Sequence, residues 1–116
     1  MLEVYGIKNC NTVKKALAWL DDHGVDYRFH DFKKEGVDEA RLRRWVEQTG
    51  WEPLLNRKGL TWRRLPEERR AQVNDADAAI TLMLEKPTII KRPVIERGDE
   101  VLAVGFDETT YQERLG

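Results

Sequence analysis

The sequence predicts an α/β protein built on a mixed four-stranded sheet, in the element order βαβ, helical insert, ββα. Three observations lead there. A strand, a helix and a second strand follow one another within the first 32 residues. The middle carries helical apolar spacing interrupted by Pro53, Gly59 and Pro66. Two apolar stretches then flank Gly98-Asp99 ahead of a last, short helix.

Each element has a local reason. Leu2–Ile7 (LEVYGI) is apolar, with Val and Tyr, and reads as the first strand. Asn11 or Thr12 can cap a helix whose apolar positions Val13, Ala16, Leu17 and Leu20 fall at offsets of one helical face. Gly24 is a natural stop for it. Tyr27–Phe32 alternates aromatic and polar residues, as a half-buried strand does. These three elements form a βαβ unit, which implies parallel pairing and a right-handed crossover. Asp38 can cap a helix carrying Leu42, Trp45 and Val46 and closed by Gly50. Pro53 and Gly59 break any long helix after it, and Pro66 suits a helix start. Asp75–Glu85 has Ala76, Ala79, Ile80 and Met83 on one face and ends before Pro87. After Ile89-Ile90 and the Lys91-Arg92-Pro93 corner, Val94–Glu96 and Glu100–Val104 read as an antiparallel hairpin. Asp107 can cap a final helix ending near Leu115. This is the element order of a thioredoxin-like fold with helices inserted in its middle.

Composition bounds the chemistry. A chain of 116 residues with no linker-like tract is expected to be one domain, spanning residues 1–116. Apolar residues at 41% suffice for a core. No apolar run approaches the ~20 residues of a membrane span. MLEVYGIKNC lacks the basic and apolar segments of a secretory signal, so a cytoplasmic, monomeric protein is expected. Residues 33–70 carry eleven basic and seven acidic side chains, but both signs interleave, as on solvated helix faces. Direct nucleic-acid binding is not expected. His23 and His30 share no ligand spacing with the single Cys10, so no metal is expected. No phosphate-cradling or dinucleotide motif occurs, and no nucleotide is expected.

Cys10 is the one candidate nucleophile. It sits between the first strand and the first helix, where unpaired N–H groups and the helix dipole favour a thiolate. Lys8, Lys14 and Lys15 add positive charge nearby. The alternative is an inert buried thiol packing as a small hydrophobe. Arg92 precedes Pro93 at a strand entry where a cis peptide is feasible, and in this fold that corner would face Cys10. Arg92 could stabilise the thiolate or grip an anion, or be an ordinary surface arginine. Asn56, Arg57 and Lys58 lie in a polar loop after Leu54-Leu55. The four tryptophans fall at or near helical apolar positions and are expected in the core or at its edge.

YGIKNCNTVKKALAWL, GVDYRFHDFKKEG, LLNRKGLTWRRL, KPTIIKRPVI and AVGFDETTY together resemble the arsenate reductase-like (ArsC/Spx) family, especially its small YffB-type branch. The resemblance spans essentially the whole chain. It implies a nucleophilic cysteine at Cys10 and an anion-binding arginine at Arg92, followed by the corner Pro93. In arsenate-reducing members an arginine follows the paired leucines and another lies near the last strand; those places hold Asn56 and Gly105 here. Arg57 is one residue displaced. Spx-type regulators carry CxxC at the helix start, but the position three after Cys10 is Val13.

The resemblance therefore implies a glutathione-dependent thiol reductase with a single cysteine, with glutathione as co-substrate and free glutathione or a glutaredoxin resolving the mixed disulfide. Cys10 and Arg92 are the expected catalytic residues; Asn11, Lys14, Arg57 and Pro93 are expected to contact glutathione. Arsenate reduction is the narrower alternative. A non-catalytic adaptor for RNA polymerase, contacting through Arg41–Arg70, is the alternative from a different class.

Overall fold

In the computed structural model, which describes residues 1–116, strand β1 (Leu2–Gly6) is an inner strand of a four-stranded sheet. The order is β2-β1-β3-β4, with β2 at Tyr27–Asp31, β3 at Val94–Arg97 and β4 at Glu100–Val104. Strand β1 runs parallel to β2 and antiparallel to β3, which in turn pairs antiparallel with β4. Helix α1 (Asn11–Asp22) makes the β1–β2 crossover, and α7 (Glu108–Arg114) follows β4. This topology is thioredoxin-like, as the element order predicts.

The register explains the core. Leu2 and Val4 alternate with Glu3 and Tyr5, so one face of β1 is aliphatic. They cluster with Ala16, Trp19 and Leu20 of α1, Ile95, Leu102 and Ala103 of the hairpin, and Tyr111 and Leu115. Burial of each large member contributes about 1.5–3 kcal/mol. Gly6 permits the close approach of α1 to the sheet: a Cβ there would meet Val13 Cγ2 at 2.9 Å.

Three local readings are corrected. Cys10, not Asn11 or Thr12, is the N-cap of α1: it holds extended backbone while its carbonyl accepts from the Lys14 N–H at 2.9 Å. Leu17 is only half-buried, because the helix face is rotated toward Tyr111, while Trp19 takes the core place expected of it. Strand β2 stops at Asp31, since the Asp31 carboxylate accepts from the Lys33 N–H and turns the chain into a short helix, α2 (Phe32–Glu35).

Residues 1–35 and 92–116 form one compact unit and residues 36–91 a second. In the second, α3 (Glu39–Thr49) is capped by the Asp38 side chain and α6 (Ala76–Glu85) by Asp75, both as their sequences predict. Between them run two short helices, α4 (Leu60–Arg63) and α5 (Glu67–Ala71). Pro66 caps α5 from outside its first turn. Leu42, Trp45, Ala79, Ile80, Leu82 and Met83 are buried. Leu54-Leu55 returns against Ile89–Lys91, with Lys91 N–H donating to the Leu54 carbonyl at 2.7 Å. No helix is long and apolar enough to cross a membrane.

Candidate active site

Two chain segments meet at Cys10. The first is the β1–α1 junction, which leaves the thiol half-exposed at the helix start. The second is the Arg92-Pro93 step entering β3, whose peptide bond is cis. Partial burial pushes the Cys10 thiol up, but the Val13 N–H, the Arg92 guanidinium and the Thr12 N–H outweigh it. Together they hold the thiol below its ordinary value. The neutral thiol makes no capping hydrogen bond. What these donors favour is the anion.

Arg92 therefore lies beside Cys10, as the fold predicts, half-buried and with its guanidinium placed to hydrogen-bond the sulfur when it is ionised. The principal pulls come from amides and this one guanidinium, not from the flanking lysines. Lys8, Lys14 and Lys15 are exposed, and water screens charge at that distance. Asn11 is exposed on the first turn of α1, and Pro93 is buried beside Arg92. The Pro93 carbonyl accepts from the Gly105 N–H at 2.8 Å, so the β4–α7 loop is tied to the same corner. Gly105 has φ +81°, a left-handed conformation that a side chain strains.

Residues of the second unit account for the rest. Asn56 closes an Asx turn, its side-chain oxygen accepting from the Lys58 N–H at 3.2 Å. The Arg57 guanidinium lies 5.6 Å from the Trp51 ring and 5.9 Å from the Trp62 ring. The histidines have structural partners: His30 bridges Glu3 at 2.8 Å and Glu35 at 3.2 Å, and His23 stacks on Trp19. Sequence reasoning passed over the aromatic floor of Trp19, Phe106 and Tyr111 below the β4–α7 loop. Its only sequence trace is Trp19 at a helical spacing from Lys15 and Asp22.

A half-exposed thiol at a helix start, held below its ordinary value by an arginine and helix amides on a thioredoxin-like sheet, defines a thiol-redox class of protein. Comparison with known proteins narrows this. Residues 5–114 match the model of the ArsC family, and the chain belongs to that family. It is 44% identical over 112 residues to an uncharacterized protein of Haemophilus influenzae, covering 97% of this chain and 96% of that one. A solved YFFB protein is 47% identical, with full coverage of both chains and a TM-score of 0.93. A solved arsenate reductase related protein from Brucella melitensis is 52% identical, covering 97% and 92%, with a TM-score of 0.77.

Proposed function

We propose that the chain is a monothiol, glutathione-dependent thiol–disulfide reductase of the cytoplasm. The observation that carries this reading is the Cys10 thiol, held below its ordinary value by Arg92 and the α1 amides in a chain with no second cysteine. Cys10 thiolate attacks the glutathione sulfur of a mixed disulfide. A Cys10–glutathione disulfide forms, the old S–S bond breaks, and its electron pair leaves with the substrate thiolate, which takes a proton from water. Glutathione thiolate then attacks the glutathionyl sulfur, releasing Cys10 and glutathione disulfide; a glutaredoxin can do the same. Arg92 stabilises the thiolate at both ends of the cycle. Asn11 and Lys14, exposed on the first turn of α1, are the side chains assigned to a glutathione carboxylate.

Arsenate is the weaker enzyme reading. Asn56 and Gly105 stand where the resemblance puts arginines, and both are committed to backbone turns. Arg57, expected to contact glutathione, is held over two indoles and is not assigned a step.

The test is uptake of one glutathione per chain from glutathione disulfide, followed by turnover of a glutathionylated substrate. Cys10→Ser should lose both. A serine variant that still turns over the mixed disulfide would sink the proposal, and arsenate turnover with glutathione and glutaredoxin would replace it with the narrower reading.

A further inference from the structure

A groove of about 400 Å³ opens along the outer side of α1, lined by Lys15, Ala18, Trp19, Asp22, Phe106 and Glu108. That volume lies within the range of small-ligand sites. Its floor is rigid. Tyr111 is fully buried, and its ring takes Trp19 edge-on at 5.4 Å and Phe106 at 5.0 Å. The Tyr111 hydroxyl donates to the Gly105 carbonyl at 2.6 Å, and Gly105 is bonded in turn to Pro93, beside Arg92. The aromatic floor and the thiolate corner are thus one connected framework.

The walls carry both signs of charge. Lys15 comes from α1, with Asp22 two turns further on, and Glu108 comes from the first turn of α7. No ion pair joins Lys15 to either carboxylate. A cation and an anion across an apolar floor, unneutralised by each other, suit a zwitterion with a hydrocarbon arm. The γ-glutamyl end of glutathione, joined through its side chain and so keeping both its α-ammonium and its α-carboxylate, has that chemistry. Asn11, Lys15, Ala18 and Asp22 lie on one face of α1, so the end of the groove at Lys15 is about one helical turn from Asn11, the residue beside Cys10. Lys15 is about 7.5 Å along the helix axis from Cys10 at 1.5 Å per residue. An extended tripeptide spans about 10 Å. With the sulfur on the middle residue, half that span plus the cysteine side chain, about 7–8 Å, carries the γ-glutamyl end from Cys10 to the level of Lys15 and stops short of Asp22.

The geometry points to this groove as the subsite for the zwitterionic end of a short peptide thiol, with its carboxylate on Lys15, its ammonium on Glu108 and its methylenes on Trp19 and Phe106. The inference rests on the thiol-reductase reading for the role of the bound peptide, but not for its binding. S-methylglutathione, which cannot exchange disulfides, separates the two. Titrated into the wild-type protein, it should saturate amide shifts confined to Asn11–Asp22 and Gly105–Glu108. Lys15→Glu and Ala18→Phe, both at exposed helix positions, should each weaken it about tenfold, as reversing a charge or filling the groove would. The same variants should lower the rate of Cys10 reaction with glutathione disulfide, relative to hydroxyethyl disulfide, by a similar factor. Shifts elsewhere, no saturable binding, or unchanged affinity in both variants would overturn the groove assignment. A wild-type Cys10 inert to both disulfides, with S-methylglutathione still filling the groove, would overturn the reductase reading and leave the subsite standing.

Discussion

Replacing Arg92 with methionine tests whether the guanidinium acts by stabilising the Cys10 thiolate. Charge-assisted hydrogen bonds contribute about 1.5–3 kcal/mol. Cys10 and Arg92 are both only partly buried, so solvent screening sets the value at the low end, about 1.4 kcal/mol. That is about a factor of ten in the ionisation equilibrium, moving the thiol upward in the variant. Below both pKa values the thiolate fraction falls about tenfold, while the more basic thiolate gains about threefold in intrinsic nucleophilicity at a Brønsted slope near 0.4–0.5. The net result is a loss of about threefold. Above both pKa values the thiolate is complete in either protein, and the variant reacts about threefold faster. The pH profiles of iodoacetamide alkylation must therefore cross. Parallel profiles, with the variant slower at every pH, would refute electrostatic stabilisation and leave Arg92 a positioning role. Superimposed profiles would show that the α1 amides act alone.

Other perturbations have equally definite outcomes. Because the folded Cys10 thiol sits below its ordinary value, its thiolate contributes stability that is present above the unfolded thiol's pKa and is lost as pH falls through the folded one. The stability difference between wild type and Cys10→Ser, followed by urea denaturation, should shrink from pH 9 toward neutrality; a constant difference would contradict the lowered pKa. Tyr111→Phe leaves the Gly105 carbonyl without its buried donor and should cost about 1–2 kcal/mol in the same measurement. Gly105→Arg puts a side chain on a φ of +81° and should destabilise by about 1–2 kcal/mol without creating arsenate turnover. Trp45→Ala should cost about 3–5 kcal/mol, since the ring is fully buried in the 36–91 unit.

The strands and long helices were legible because each follows one local rule. Asp38, Asp75 and Asp107 are placed before helices by their chemistry, and each accepts the hydrogen bond that its position demands. The start of α1 was misread by one residue because cysteine is a poor capping residue by that rule. Its extended backbone is held there by what surrounds it, not by its own side chain. Arg92 was legible only through the fold, since nothing within five residues of it in sequence points to Cys10. The short helices α2, α4 and α5 have too few residues for periodicity to register. The aromatic floor joins Trp19 to Phe106 and Tyr111 across about ninety residues of chain, a contact that no local window contains.

The distribution of charge at the thiol bears on which substrate fits. A tetrahedral oxyanion brings its full charge into the ground-state complex, and one guanidinium with a few amide dipoles offsets only part of it. A second cation is not at hand in the 1–35 and 92–116 unit: Gly105 cannot take an arginine without strain, and Lys8, Lys14 and Lys15 are water-screened. A disulfide arrives neutral at the reacting atoms. Charge moves during its reaction from the attacking sulfur to the leaving one, without net accumulation, so a single guanidinium beside Cys10 is sufficient. In the proposed cycle, with no second cysteine in the chain, the resolving thiol comes from outside, and its selection would depend on surface beside the reacting sulfur rather than on oxyanion charge. The groove between Lys15 and Glu108 is such a surface. That makes the ratio of glutathione disulfide to hydroxyethyl disulfide reactivity, and not the absolute thiol reactivity, the quantity in which specificity should be seen.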